Sequence, residues 1–279
     1  MKLATLRDGS RDGRLVVVSR DLTQMTDASF LVRTLQAALD DWARLAPHLQ
    51  ALSESLARGA VPAERFHEHD AMSPLPRAYQ RLVSSNGDGG GPSAVMIQQV
   101  NSDSFLGPRE PIRMAGDDVA VSGTIAVIAG DVPMGVSPDE ARGAIRLVLL
   151  ASDVSRRAAP DERSGGALLA SAFSPVAVTT DELGDAWDGG LLHRELAIDI
   201  NGKPSDRVDA ASTRPDVPAL IAEAAKFRPL GAGTIIGIGS VSKRHEAGFG
   251  DTVRIEMLDE KHHSIFGAIE QTVEPSPRG

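Results

Sequence analysis

The sequence contains no cysteine, and this single absence excludes several kinds of site. Disulfide bridges, thiolate metal ligands and cysteine nucleophiles all require the missing thiol. The absence does not by itself fix the cellular compartment, because proteins without disulfides occur in reducing and in oxidising environments alike.

Positive charge and long hydrophobic runs are also scarce. The 29 lysines and arginines are outnumbered by 38 aspartates and glutamates, which gives a net charge of −9. Nucleic acids and anionic membranes bind basic surfaces, so we expect neither as a partner. The longest apolar runs, such as residues 147–151, are far too short to span a bilayer, and residues 1–9 lack the apolar stretch of a signal peptide. We therefore expect a cytoplasmic protein.

The chain is nevertheless long enough, at 279 residues with 42% hydrophobic residues, to bury one large core or two modest ones. Apolar runs at residues 3–6 and 14–19 flank a turn-rich segment and predict a β-hairpin. Residues 31–56 carry leucines at spacings of three and four, which predicts a helical stretch broken at Pro47. Residues 59–76 have little apolar periodicity, so we interpret them as a linker into a second unit.

The second unit is rich in strand patterns. Residues 84–92 predict a loop because glycine and small polar residues dominate them. Residues 119–128 predict one or two strands that pack closely at Gly123. Residues 253–257 are expected to pair with residues 265–269 across a turn.

Two helices interrupt these strands. Ser137 precedes a proline and a glutamate in the order of a capping box, which predicts a helix to about residue 147. Asp216 is a helix cap of the same kind. Strands and helices do not alternate regularly, so the pattern predicts an α+β fold and disfavours a Rossmann enzyme. We expect a small N-terminal β/α domain over residues 1–70 and a mixed β domain over residues 71–279.

Several segments together resemble one enzyme family. The segments are residues 73–80, 104–108, 131–135, 171–179, 228–237 and 250–256. In this order they are similar to the fumarylacetoacetate hydrolase family, whose members cleave C–C bonds or decarboxylate β-dicarbonyl compounds. The resemblance implies a small N-terminal domain, a mixed β-roll catalytic domain and assembly as a homodimer.

The resemblance also implies a divalent cation, held by carboxylates, that chelates the two carbonyl oxygens of the substrate. The family's Glu-x-Glu pair, which a strand presents on one face, corresponds here to Ser122 and Thr124. A third family ligand, an aspartate, matches Asp153. Because one carboxylate is a poor cage for magnesium or calcium, we expect no metal and no other cofactor.

Other functional groups of the family have no counterpart in this sequence. The histidine that activates water falls in the segment replaced by residues 84–92, and the substrate-facing lysine is replaced around Leu168. Three candidates remain for catalysis: Asp153, Arg157 and His245. Five more are candidates for substrate binding: Tyr79, Gln98, Ser122, Thr124 and Ser240.

Each candidate also has a purely structural interpretation. For Asp153 an ion pair with Arg156 or Arg157 is the favoured interpretation, and hydroxyl side chains such as Ser122 fit a strand. A glutamine such as Gln98 is as easily explained by a solvent-facing position.

Three functions follow from this residue set. The first is a metal-independent enzyme on a keto-enol, β-dicarbonyl or polyketide-like small molecule, catalysing isomerisation, cyclisation, decarboxylation or C–C cleavage. The second is a non-catalytic homologue that binds a ligand or stabilises an assembly. The third is a metal-dependent acylpyruvate hydrolase with rearranged ligands.

Overall fold

The computed structural model describes residues 1–86, 95–116, 119–156, 168–212 and 216–277. Its N-terminal part contains β1 (Lys2–Leu6), β2 (Arg14–Val18), β3 (Gln24–Asp27), α1 (Leu35–Asp40), α2 (Trp42–Ala57) and β4 (Glu64–Arg65). The predicted hairpin is confirmed, since β1 and β2 pair antiparallel with Leu3 opposite Val17. The segment interpreted as a linker is partly ordered into the sheet, because β4 pairs with β3.

The helical stretch differs from the prediction in two respects. It begins at Leu35, because the preceding residues turn back and Arg33 accepts a hydrogen bond from the Leu15 backbone at 2.8 Å. The break lies at Asp41, whereas Pro47 sits inside α2. Pro47 has no N–H to donate to the carbonyl oxygen one turn earlier. Because Pro47 is solvent-exposed, that carbonyl and the proline ring face water and not the core.

The remainder is mostly strand. Its elements are β5 (Arg81–Asn86), β6 (Val95–Val100), β7 (Ile112–Met114), β8 (Val119–Ala129), α3 (Pro138–Arg142), β9 (Ile145–Arg156), β10 (Leu168–Phe173), β11 (Ala177–Val178), β12 (Glu195–Ile200), β13 (Lys203–Asp209), α4 (Val217–Ala224), β14 (Ile235–Gly237), β15 (His245–Ala247), β16 (Thr252–Met257) and β17 (Ile269–Pro275). The α+β class predicted from the sequence is confirmed.

Three elements differ in their bounds from the prediction. The capping box at Ser137 is present, but α3 ends at Arg142, because the following apolar run is the buried strand β9. The predicted pairing is present, since Ile255 lies opposite Ile269 and Ile265 N–H donates to the Met257 carbonyl oxygen at 3.0 Å, but the regular strand β17 begins only at Ile269. The loop predicted at residues 84–92 starts later, since β5 continues to Asn86, and residues 87–94 lie outside the described residues.

The strands form two sheets. The larger has the order β4-β3-β2-β1-β11-β9-β8-β14-β5-β6, with β10 also pairing β9 and β15 also pairing β8; the smaller has the order β13-β12-β16-β17-β7. One face of β8 and β9 packs against the smaller sheet. Gly123 makes this approach possible, since a Cβ there would lie 2.9 Å from Leu196 Cδ2. The opposite face of these strands contacts helices α1 and α2 at one end and carries the polar residues described next.

None of the helices in the described ranges has the length and apolar character required to cross a bilayer.

Candidate functional site

A row of polar side chains crosses the three neighbouring strands β8, β9 and β10. Asp153 in β9 lies directly opposite Ser122 in β8 and Ser171 in β10. Residues that face each other across a ladder project to the same side of the sheet, and Thr124 joins them two positions along β8. The structure therefore brings together three of the predicted site residues, Ser122, Thr124 and Asp153.

The partner of Asp153 is Arg81, and this residue was missed by the sequence analysis. Arg81 Nη2 donates to Asp153 Oδ1 at 2.7 Å, and Ser171 Oγ donates to the same oxygen at 2.8 Å. Arg81 is the first residue of β5, which β14 separates from β8, and it is fully buried. The expected ion pair of Asp153 with Arg156 is wrong, because the Arg156 side chain points into solvent at the end of β9.

The guanidinium of Arg81 lies on an aromatic surface. Its Cζ is 4.7 Å from the centre of the Phe173 ring, and Phe105 packs edge-on against Phe173 with 5.0 Å between ring centres. Such a position stabilises a desolvated cation. Arg81 Nε and Nη1 have no hydrogen-bond acceptor among the described residues.

The hydroxyl groups on β8 are held by the segment that follows β14. Ser122 Oγ lies 3.3 Å from Ser240 Oγ, so a fourth predicted residue joins the site. Thr124 Oγ1 donates to the carbonyl oxygen of Gly239. Gly239 has a φ of +87°, and a Cβ there would lie 2.9 Å from the Ser84 carbonyl oxygen, so the close passage of this segment requires glycine.

His245 does not join the site. It pairs with Val121 in β8, whose side chain faces the smaller sheet, away from Ser122. There its Nε2 lies 3.3 Å from Asp206 Oδ2. Burial raises the pKa of Asp206, but hydrogen bonds from the Lys243 backbone and from His245 outweigh that effect, so the pKa falls below its ordinary value. This geometry is that of a structural contact between the two sheets.

The other predicted residues lie in different surroundings. Tyr79 is exposed over 75% of its surface, just before β5. Gln98 is half-buried in β6, opposite Val83, and strands β14 and β5 separate β6 from β8. Arg157 lies outside the described residues.

The residues at this site do not fit a divalent cation. Ser122 and Thr124, which stand at two of the three positions that the resemblance assigns to metal ligands, are neutral hydroxyl residues. The third, Asp153, already forms an ion pair with Arg81 at 2.7 Å. Magnesium, manganese and calcium need several oxygen ligands with negative charge among them. Within the described ranges, no group of three or more acidic or histidine side chains is arranged to hold a metal.

A cavity of about 250 Å³ adjoins the row of polar residues. Ser171 and Phe105 line it, together with Asn101 and Glu110. Its size is slightly below the usual range of ligand pockets, roughly 300–1,000 Å³. A larger cavity of about 800 Å³ lies elsewhere, around Lys2, and does not include the polar row.

Comparison with known proteins agrees with this architecture. Residues 1–77 match the family model for the fumarylacetoacetase N-terminal domain 2, and residues 77–274 match that for the fumarylacetoacetate (FAA) hydrolase C-terminal domain. No match was found among curated protein sequences.

Solved structures with the same fold cover nearly the whole chain. Maleylpyruvate hydrolase from Sphingobium sp. SYK-6 is 18% identical, with a TM-score of 0.76 over 99% of this chain and 100% of that chain. Its complex with manganese(II) and pyruvate gives a TM-score of 0.74 at the same identity and coverage. The 2-hydroxyhepta-2,4-diene-1,7-dioate isomerase from Mycobacterium marinum is 17% identical, with a TM-score of 0.69 over all of both chains. On the two family matches, this chain belongs to the fumarylacetoacetate hydrolase family.

Proposed function

We propose that this protein acts on a small oxo acid of the keto-enol or β-dicarbonyl class, and that it does so without a divalent metal at the Ser122–Asp153 site. The observation that carries the proposal is the buried pair of Arg81 and Asp153. A guanidinium supplies positive charge beside the position where a carbonyl or enolate oxygen would bind, and it keeps that charge at every physiological pH.

The chemistry of the relatives supports the substrate class. Two of them are named for maleylpyruvate and for 2-hydroxyhepta-2,4-diene-1,7-dioate, an oxo acid and an enol of an oxo acid. Isomerisation, cyclisation, decarboxylation and C–C cleavage of such compounds share one requirement, which is stabilisation of negative charge on an enolate oxygen. The hydroxyl group of Ser122 would orient a substrate oxygen with the one hydrogen bond it can donate, whereas the Thr124 hydroxyl already donates to the Gly239 carbonyl oxygen.

A second candidate is a non-catalytic protein with a ligand-binding or assembly role. It is favoured by the internal pairing of the polar row: Ser122 with Ser240, Thr124 with Gly239, and Asp153 with Arg81 and Ser171. Side chains whose hydrogen bonds are all made within the protein need no substrate to complete them. We also propose that the protein assembles as a homodimer and is located in the cytoplasm.

Turnover of two probe compounds in the presence and absence of metal tests the proposal. The protein is incubated with acetylpyruvate or oxaloacetate, in excess EDTA or with added magnesium or manganese, and the enol absorbance and the proton NMR spectrum are followed. After subtraction of the rate without protein, which divalent metals raise for oxaloacetate, we expect consumption of a probe at the same rate under both conditions. We expect Ser122→Ala to lower the rate about tenfold, the effect of one lost hydrogen bond to a charged group, and the exposed Ser205→Ala to leave it unchanged.

The other outcomes separate the alternatives. A rate that depends on added metal would support a hydrolase with rearranged ligands and contradict the proposal. No consumption under either condition would favour the non-catalytic protein.

A further inference from the structure

The fully buried guanidinium of Arg81 has hydrogen-bonding capacity that no described residue uses. Asp153 accepts from Nη2 only, and it does so through a single oxygen that Ser171 also contacts. Nε and Nη1 find no acceptor in the described part of the chain. An arginine carries five N–H donors and stays protonated, so these two nitrogens retain donors without a partner among those residues.

Such an arrangement is costly unless something else supplies the acceptors. A buried donor without a partner loses the hydrogen bonds that it makes with water, and the loss is greater for a charged group. Buried polar groups in native proteins are therefore nearly always satisfied, and each exception needs an explanation, such as a bound ligand, an ordered water or an ion.

The surroundings of Arg81 favour a negatively charged oxygen as that acceptor. Asp153 is the only carboxylate within ion-pairing distance of Arg81 among the described residues. The Phe173 ring offers no acceptor atom of comparable strength, and Gly237 on the neighbouring strand has no side chain to compete for the donors. Arginine is the side chain best suited to carboxylates, because its donors lie in one plane with fixed directions.

Arg81 and Asp153 are not in the lining of the cavity of about 250 Å³, but two residues that do line it contact the pair or the ring beneath it. Ser171 lines the cavity and donates to Asp153, while Phe105 lines it and packs against the ring beneath the guanidinium. A molecule of a few carbon atoms in this cavity would therefore lie next to the groups that position Arg81.

We propose that Arg81 is the substrate-binding residue that receives an anionic oxygen, the carboxylate or enolate of a small oxo acid, on its Nε and Nη1 donors. Asp153 then acts as a positioning residue that holds the guanidinium over Phe173. This inference rests on the proposed function for the substrate class, but its test does not require turnover.

Oxalate is a suitable probe, because its planar arrangement of oxygens resembles that of a pyruvate enolate. Binding is measured by isothermal titration calorimetry in excess EDTA for the wild type, Arg81→Lys, Arg81→Met and Arg146→Met. Arg146 is the matched control, since it also has a buried Nε without an acceptor but does not contact Asp153.

We expect the wild type and Arg146→Met to bind oxalate equally. Arg81→Met should bind about tenfold to hundredfold more weakly, the range for a lost charged hydrogen bond. Arg81→Lys should lie between them, because it keeps the charge but not the planar donors. Equal affinity of Arg81→Met and wild type, or oxalate binding only after a divalent metal is added, would overturn the inference.

A measurement on the wild type covers the case in which an Arg81 variant fails to fold. Titration of oxalate into ¹⁵N-labelled wild type should shift an arginine Nε resonance that exchanges slowly with solvent and that is still present in spectra of Arg146→Met. Unchanged arginine Nε resonances at saturating oxalate would overturn the inference as well.

Failure of this inference and failure of the proposed function give different results. Binding of oxalate that depends on Arg81, with no oxo acid consumed, would support the inference and contradict the proposed enzyme. Metal-independent consumption that is unaffected in Arg81→Met would support the enzyme and overturn the inference.

Discussion

The charge at the candidate site comes from two buried side chains, Asp153 and Arg81. A carboxylate and a guanidinium that meet away from water, as Asp153 and Arg81 do, attract each other strongly but have both lost their hydration. Removing one partner of such a pair typically costs about 3–5 kcal/mol, because the other is left uncompensated. The pair therefore persists as a unit, and its fixed positive charge would repel a metal cation from Asp153.

A second buried charge, Lys2, makes stability depend on pH. Its Nζ donates to the Ile265 carbonyl oxygen at 2.7 Å, and burial lowers the pKa of Lys2 to about 8 from 10.5, although Glu182 acts in the opposite direction. Between pH 8 and 10.5 the unfolded chain then binds more protons at this residue than the folded protein, so stability rises with pH over that window.

We expect the stability of the wild type relative to Lys2→Met to increase by roughly 3 kcal/mol at most from pH 8 to pH 10.5, as 1.36 kcal/mol per pKa unit requires. Urea unfolding of both proteins at pH 7.5, 9 and 10.5 measures the difference. Lys203→Met, which removes an exposed lysine, is the control and should show no such trend. A constant difference between the wild type and Lys2→Met across this range would contradict the assignment.

Helix α2 is an element whose stability comes from packing more than from its own residues. Its buried side is a row of four leucines, Leu45, Leu49, Leu52 and Leu56. These contacts hold the helix together through Pro47, which removes one backbone hydrogen bond on the exposed side. The periodicity of the leucines thus outweighs the proline, and the break moves to Asp41.

Replacing this proline tests that account. We expect Pro47→Ala to raise the free energy of unfolding by about 1–2 kcal/mol, because it restores one helical hydrogen bond but gives the unfolded chain more freedom. Thermal unfolding followed by circular dichroism measures the change. Pro62→Ala, at an exposed position outside any helix, should not stabilise the protein. A loss of stability in Pro47→Ala would mean that α2 depends on the bend that the proline imposes.

The whole molecule is organised around a sheet that both family domains share. β1 pairs with β11, with Leu3 opposite Ala177, so the first strand of the chain joins a strand of the C-terminal domain. Leu3 is fully buried in one cluster with Leu147 and Phe173. Because neither domain can separate without breaking this pairing and this core, the two should unfold together.

A core substitution in the first strand makes this prediction specific. Leu3→Ala should destabilise the protein by about 2–5 kcal/mol and lower the midpoint of one cooperative transition in scanning calorimetry. Leu196→Ala, in the core between the two sheets, should shift the same transition. A separate low-temperature transition in Leu3→Ala alone would show that the N-terminal domain unfolds independently.

Local patterns in the sequence determined much of the fold. The hairpin of β1 and β2, the capping box at Ser137 and the close packing at Gly123 all depend on residues near one another in the chain, or on the absence of a side chain. The resemblance to the family predicted the two-domain architecture, and it identified Ser122, Thr124 and Asp153 as residues of one site. The sequence predicted the ends of helices and strands less accurately, because packing against distant strands decides them. Helix α3, for example, ends at Arg142 and not near residue 147.

The pairing at the site was decided only by the tertiary structure. Arg81 and Asp153 are 72 residues apart, and nothing in the composition near Arg81 distinguishes a buried arginine from an exposed one at the start of a strand. The resemblance made His245 a catalytic candidate, yet its position opposite Val121 in the ladder turns it to the opposite face. The sequence by itself determined which chemical groups are missing, since an absent carboxylate or thiol is absent in every fold. Which of the remaining charges meet depends on how the strands are ordered in the sheet, and that order is a property of the folded chain.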